Sequence, residues 1–89
     1  MNRVSVEICN KLGLHARAAA KLVALASEFE SEVWLELGET RADATSIMAV
    51  MMLAAGPGTP VTIAARGPDE GEALARISAL IEDRFGENE

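Results

Sequence analysis

An 89-residue chain with one cysteine and one histidine supplies a single small core, no internal disulfide and no metal cluster built on several imidazoles. Its 14 Asp and Glu against 8 Lys and Arg leave a formal net charge of -6, which excludes a protein built chiefly to neutralise nucleic-acid phosphates. The charge is uneven, because residues 10 to 27 hold Lys11, Arg17 and Lys21 and no acid, so a +3 segment sits in a chain that is otherwise -9.

The hydrophobic fraction is 49%, but 16 of those residues are alanine, so the expected core is small and tightly packed within one domain spanning 1–89. The lone thiol of Cys9 fits a reducing compartment. The N-terminus alternates without the apolar run of a signal peptide, and no stretch approaches 18 unbroken apolar residues. A soluble cytoplasmic protein without membrane insertion is the expectation.

Residues 3 to 8 alternate strictly, with Val4, Val6 and Ile8 on one face and Arg3, Ser5 and Glu7 on the other, which predicts a strand. A polar break at Asn10-Lys11 and a glycine at 13 precede a helix over Ala16 to Glu28, in which Ala19, Leu22, Val23 and Ala26 recur at helical spacing. Val33, Leu35 and Leu37 alternate with Glu32, Trp34 and Glu36; Gly38-Glu39 then turns the chain into a weaker strand from Thr40 to Ala44. Trp34 falls on the polar face and reads as a partly exposed packing residue.

Ser46 is placed to cap a short helix from Ile47 to about Ala54, with Ile47, Val50, Met51 and Ala54 on one side. The run Gly56-Pro57-Gly58-Thr59-Pro60 ends it. A fourth strand follows at Val61 to Ala65, and Asp69 with Glu72 three residues on predicts a variant capping box for a last helix with the stripe Ala73, Leu74, Ile77, Leu80 and Ile81. The polar tail Gly86-Glu87-Asn88-Glu89 reads as frayed. The order βαββαβα, with one apolar face per element, predicts an α+β fold in two layers, an antiparallel sheet covered on one side by three helices; periodicity alone leaves the strand order open.

His15 is the residue with the most chemistry around it. It stands at the expected N-cap of the first helix, whose first turn offers unpaired N–H groups and a positive dipole end, so an anion attached to the ring would be stabilised. Arg17 places a permanently charged fork beside that anion, and Gly13 lets the backbone turn tightly in front of it. Together these groups describe a histidine that can be phosphorylated, whereas pairing Cys9 with His15 as a nucleophilic dyad has no geometric basis.

The run Asn10-Lys11-Leu12-Gly13-Leu14-His15-Ala16-Arg17-Ala18-Ala19-Ala20-Lys21-Leu22-Val23 resembles the active-site segment of the HPr family, the histidine phosphocarriers of the phosphoenolpyruvate-dependent phosphotransferase system. Thr45 to Gly56 is similar to that family's segment around a regulatory serine, and Ala65 to Leu74 to its last strand-to-helix junction. The resemblance implies an open-faced β-sandwich with strand order 1-4-2-3. It implies that His15 accepts a phosphoryl group on Nδ1 from phosphorylated enzyme I and passes it to a IIA-type protein, with Arg17 and the amides of Ala16 and Arg17 steadying the phosphate. One Cys and one His make a poor metal site, so no metal and no cofactor are expected, and a monomer is expected from the chain's size and the lack of an obvious second patch.

Ser46 becomes a candidate for regulatory phosphorylation by an HPr kinase/phosphorylase. Ala20 and Lys21 on the basic helix, with Ile47, Met48 and Met51 on the short one, are expected to dock partners, although Ile47 and Met51 also fit the core stripe. Two positions depart from the family pattern: Ala18 stands where proline is common, and Thr45 where lysine is common. The Ala18-Ala19-Ala20 form is similar to the nitrogen-related branch, whose output is regulatory rather than sugar uptake. Two other functions compete, an acyl-carrier-like protein using Ser46, which would be all-helical, and a regulatory binding module of HPr fold without obligatory phosphotransfer.

Overall fold

A computed structural model describes residues 1–87. The chain forms β1 (Asn2–Glu7), α1 (Ala16–Ala26), β2 (Glu32–Leu37), β3 (Thr40–Asp43), α2 (Ile47–Met52), β4 (Pro60–Arg66), α3 (Glu70–Glu82) and a closing 3-10 turn over Arg84–Gly86. All strand pairs are antiparallel, in the order β1-β4-β2-β3. Register follows from the alternation: Val4 and Leu35 both lie beside Ile63, so one face is aliphatic across three strands. The helices cover that face, and Ile8, Leu22, Leu35, Ile63, Ile77 and Ile81 are fully buried between the layers.

The opposite face is open, but it is not bare. Arg3, Ala64, Trp34 and Asp43 form one cross-strand row, and Ala64 is fully buried there although it lies outside the main core. The Arg41 guanidinium sits 4.1 Å and that of Arg66 5.5 Å from the Trp34 ring centroid, a cation–π arrangement that fixes both long side chains over the sheet. Arg3 and Arg41 share Glu36. The half-exposed Trp34 is thus a packing residue, as its polar-face position suggests.

Three expected features differ in detail. Helix α1 ends at Ala26 rather than Glu28: the Val23 carbonyl accepts both the N–H and the hydroxyl of Ser27, at 3.0 and 2.7 Å, and the Glu28 N–H then turns to the Leu25 carbonyl, a tighter bond than the helix uses. In α2 the single buried side chain is Val50; the helix stops at Met52, Ala54 adopts φ 53° and leaves the stripe, and Leu53 and Ala55 enter the core in its place. Finally, Asp69 stands at the N-cap of α3 without capping it. Its carboxylate accepts instead from the Ser31 hydroxyl and N–H at 2.5 and 2.9 Å and from the Glu30 N–H at 3.0 Å, while the Asp69 N–H donates back to Ser31 Oγ. The capping box is replaced by a clasp between the entrances to α3 and β2, and Glu70, not Glu72, reaches back to the Gly67 N–H.

Candidate functional site

The loop before α1 is shaped by two contacts of its own backbone. The Leu14 N–H donates to the Ala55 carbonyl at 3.0 Å, which seats the loop on the end of α2. At Gly13, φ is 67°, and a Cβ there would lie 2.4 Å from the Ala55 oxygen, so both the turn and the close approach require glycine. Asn10, fully buried, donates from Nδ2 to the Gly13 carbonyl at 2.8 Å and closes the turn from inside.

His15 follows with extended backbone, φ -75° and ψ 176°, as the N-cap of α1. Its Nδ1 accepts the Arg17 N–H at 3.2 Å, the capping bond that Ser, Asp or Asn usually supplies. Acceptance at Nδ1 requires a lone pair on that nitrogen and places the ring proton on Nε2, which lies 2.5 Å from Oε2 of Glu87. The lone pair that faces the helix amides is therefore the nucleophilic one, and it is already oriented toward the anion-binding end of the dipole. Ala16 and Arg17 are exposed at that end, and the Arg17 guanidinium makes no ion pair among the described residues.

Glu87 is the residue that sequence reading missed, because a polar tail was expected to fray. Phe85 anchors it. Fully buried beyond the end of α3, Phe85 continues the i+4 sequence spacing of its stripe from Ile77 to Ile81 to Phe85, and that spacing was the available signal. Left-handed conformations at Arg84, Phe85 and Gly86, with φ of 55°, 56° and 76°, then reverse the chain toward α1. Lys21 Nζ donates to the Phe85 carbonyl at 2.6 Å, so this expected docking residue is also a tie for the C-terminal turn. Asn10 Nδ2 donates to Glu87 Oε1 at 3.0 Å. The Asn10 amide first, and after it the hydrogen bond to the His15 ring and the charge of Lys21, hold the Glu87 carboxyl below the ordinary carboxylate range against the opposing effect of burial. Asn88 and Glu89, the rest of the supposed frayed tail, lie outside the described residues.

The other expected site residues divide. Ser46 caps α2, its Oγ accepting the Ala49 N–H at 3.2 Å. Thr45 donates from both its N–H and its hydroxyl to Asp43 Oδ1, at 2.8 and 2.7 Å, which shapes the turn leading into that cap; those bonds, the hydroxyl's first, hold the Asp43 carboxyl below its ordinary range. Ile47, Met48 and Met51 are exposed to 42, 68 and 36%, which removes them from the core and leaves an apolar surface on α2, where Met52 is exposed as well. Ala20 is exposed on α1, the helix against which α2 packs. Cys9 does not meet His15; its thiol donates to the Ile81 carbonyl at 3.3 Å. Among the described residues no cluster of His, Cys, Asp and Glu suits a metal, and no helix is long and apolar enough to cross a membrane.

Comparison with known proteins agrees with this geometry. Residues 3–83 match the family model described as the PTS HPr component phosphorylation site. The chain is 57% identical to the phosphocarrier protein HPr of Cupriavidus necator over 92% of both chains, and 49% identical to the phosphocarrier protein NPr of Shewanella violacea over 92% of this chain and 90% of that one. The crystal structure of HPr-C-His from Thermoanaerobacter tengcongensis superposes with a TM-score of 0.95 over 100% of both chains at 45% identity. With the strand order, the helices and the sequence all in agreement, the chain belongs to the HPr family, the phosphocarriers of the phosphotransferase system.

Proposed function

We propose that this carrier accepts a phosphoryl group on Nδ1 of His15 from phosphorylated enzyme I in the cytoplasm and delivers it to a histidine of a IIA-type protein. The observation that carries the reading is the hydrogen bond from the Arg17 N–H to Nδ1, which leaves the reactive lone pair on the nitrogen nearest the first turn of α1. Once that lone pair is spent on phosphorus, the same N–H and its neighbours are free to donate to phosphate oxygens, and the Arg17 guanidinium adds charge. Exchange between two nitrogen nucleophiles asks for little beyond positioning and electrostatic stabilisation. His15, Arg17, Asn10 and Glu87 all come from one chain, so the reading needs no second copy.

The exposed face of Ile47, Met48 and Met51, with Ala20 and Lys21, is the docking surface in this reading; adaptable methionines suit a carrier that engages several partners in turn. The Ala18-Ala19-Ala20 form favours the nitrogen-related branch. Ser46 is the regulatory candidate, since a phosphate there would sit at a helix N-terminus, and the HPr kinase/phosphorylase is the partner it implies. Incubation with phosphoenolpyruvate and enzyme I followed by intact mass is the test: one acid-labile phosphate on the wild type and none on His15→Ala is expected. A wild-type chain that gains nothing defeats the carrier, and full partner regulation by His15→Ala would favour the binding module.

A further inference from the structure

The Nε2 side of His15 is as constrained as the Nδ1 side, and by residues far from it in sequence. Glu87 offers two carboxylate oxygens: one takes the ring Nε2–H at 2.5 Å, the other the Asn10 amide at 3.0 Å. That amide has no exposure to solvent and is held by a second bond to the Gly13 carbonyl, so the carboxylate is fixed to the same turn that carries His15. Phe85 in the core and Lys21 on its carbonyl fix the backbone two residues before Glu87. A surface glutamate held at both ends in this way is not an incidental ion pair.

We propose that Glu87, clamped by Asn10, is the positioning residue for phosphoryl acceptance at His15. Its carboxylate keeps the ring proton on Nε2 and the ring plane fixed, so that Nδ1 stays unprotonated, its lone pair engaged only by the Arg17 N–H that it gives up for the incoming phosphorus. This role rests on the reading that His15 is the phosphoryl acceptor. In the step itself the Nδ1 lone pair forms the bond to phosphorus, the bond from phosphorus to the leaving atom of the phosphorylated protein donor breaks, and that electron pair departs with the donor atom. No proton moves. The ring, with its proton still on Nε2, takes on imidazolium character, and the Glu87 carboxylate is the counter-charge at the far nitrogen. The logic is that of a carboxylate orienting a histidine for work at its other nitrogen.

The test uses the full chain labelled with 15N-histidine, which reports one ring because His15 is the only histidine. Wild type should show a downfield Nε2–H resonance protected from exchange, and Glu87→Ala should lose it. Outer partners of a ring N–H carry about 10- to 100-fold in activity where they have been removed from metal sites, and at this half-exposed position the low end applies, so phosphoryl acceptance by Glu87→Ala should slow about tenfold. Asn10→Ala should lose the same resonance with Glu87 intact; if that buried substitution prevents folding, Glu87→Ala decides alone. Retention of the protected Nε2–H signal in Glu87→Ala, or acceptance at the wild-type rate, overturns the role. Should wild type show the resonance yet never take a phosphate on His15, the carrier reading fails and the positioning role with it, an outcome distinct from a carrier that works without Glu87.

Discussion

At the scale of single residues, the site is one imidazole held at both nitrogens, and neighbouring side chains set how tightly. Ala18 occupies the third position of α1, fully buried, where its N–H belongs to the first-turn donors that no helical carbonyl can satisfy. Proline, common there in the family, removes that donor. Ala18→Pro should therefore speed hydrolysis of the phosphohistidine by a small factor while leaving transfer intact, measured as loss of acid-labile phosphate over time; equal rates would show that the extra donor contributes nothing. Arg17→Lys replaces a planar fork by a point charge, and slower acceptance with an unchanged fold, followed by stopped quench and NMR spectra, is the expected outcome.

At the scale of elements, the caps and clasps that end each helix carry the next predictions. Ser46→Ala removes the bond to the Ala49 N–H and should cost about 1 kcal/mol in denaturant unfolding. Phe85→Ala empties a fully buried site and should cost about 3 kcal/mol, and by freeing the turn it should also release Glu87 from His15. The carboxylates of Asp43, Asp69 and Glu87 are held below their ordinary range, Asp69 chiefly by the Ser31 hydroxyl. A depressed carboxyl binds its proton more weakly folded than unfolded, so the stability it contributes is complete above the unfolded value and is lost as pH falls through the folded one. Melting temperatures should thus decline on acidification below the ordinary carboxylate range, and Asp69→Asn should flatten that decline; a parallel curve would remove the clasp from the account.

These elements also mark what the sequence could and could not convey. The strands and their inner faces were legible because Val4, Val6, Ile8 and Val33, Leu35, Leu37 alternate without interruption, and the His15 cap was legible because a glycine turn and an alanine-rich helix flank it. Strand order came from family resemblance, since alternation is indifferent to which strand lies beside which. Asp69 was misread because an aspartate before a helix satisfies the local capping rule equally well whether it bonds its own amides or those of Ser31, and only tertiary contact decides. Glu87 escaped because local composition around Gly86 is polar, while the residue that orders it, Phe85, acts through burial in the core, a tertiary contact that the polar run around it does not announce.

Taken as a whole molecule, the chain's charge is less divided than its sequence suggests. The acid-free stretch from 10 to 27 remains basic, but the fold returns Glu87 into it, so in space the cations Arg17 and Lys21 share their surface with one fixed carboxylate. That carboxylate is spent on His15 and Asn10, which leaves the Arg17 guanidinium exposed and without an ion pair among the described residues. A basic rim on an otherwise acidic carrier should steer it toward acidic partner faces through that one side. The second-order rate of phosphoryl acceptance should then fall several-fold as salt rises and the screening length drops from about 10 Å toward 3 Å. Because the charge that moves in the first-order step after docking travels only between groups already in contact, well inside a screening length, single-turnover transfer within the preformed complex should respond far less to salt; a steep response there, with a flat second-order rate, would place the electrostatics in the chemistry instead of the encounter.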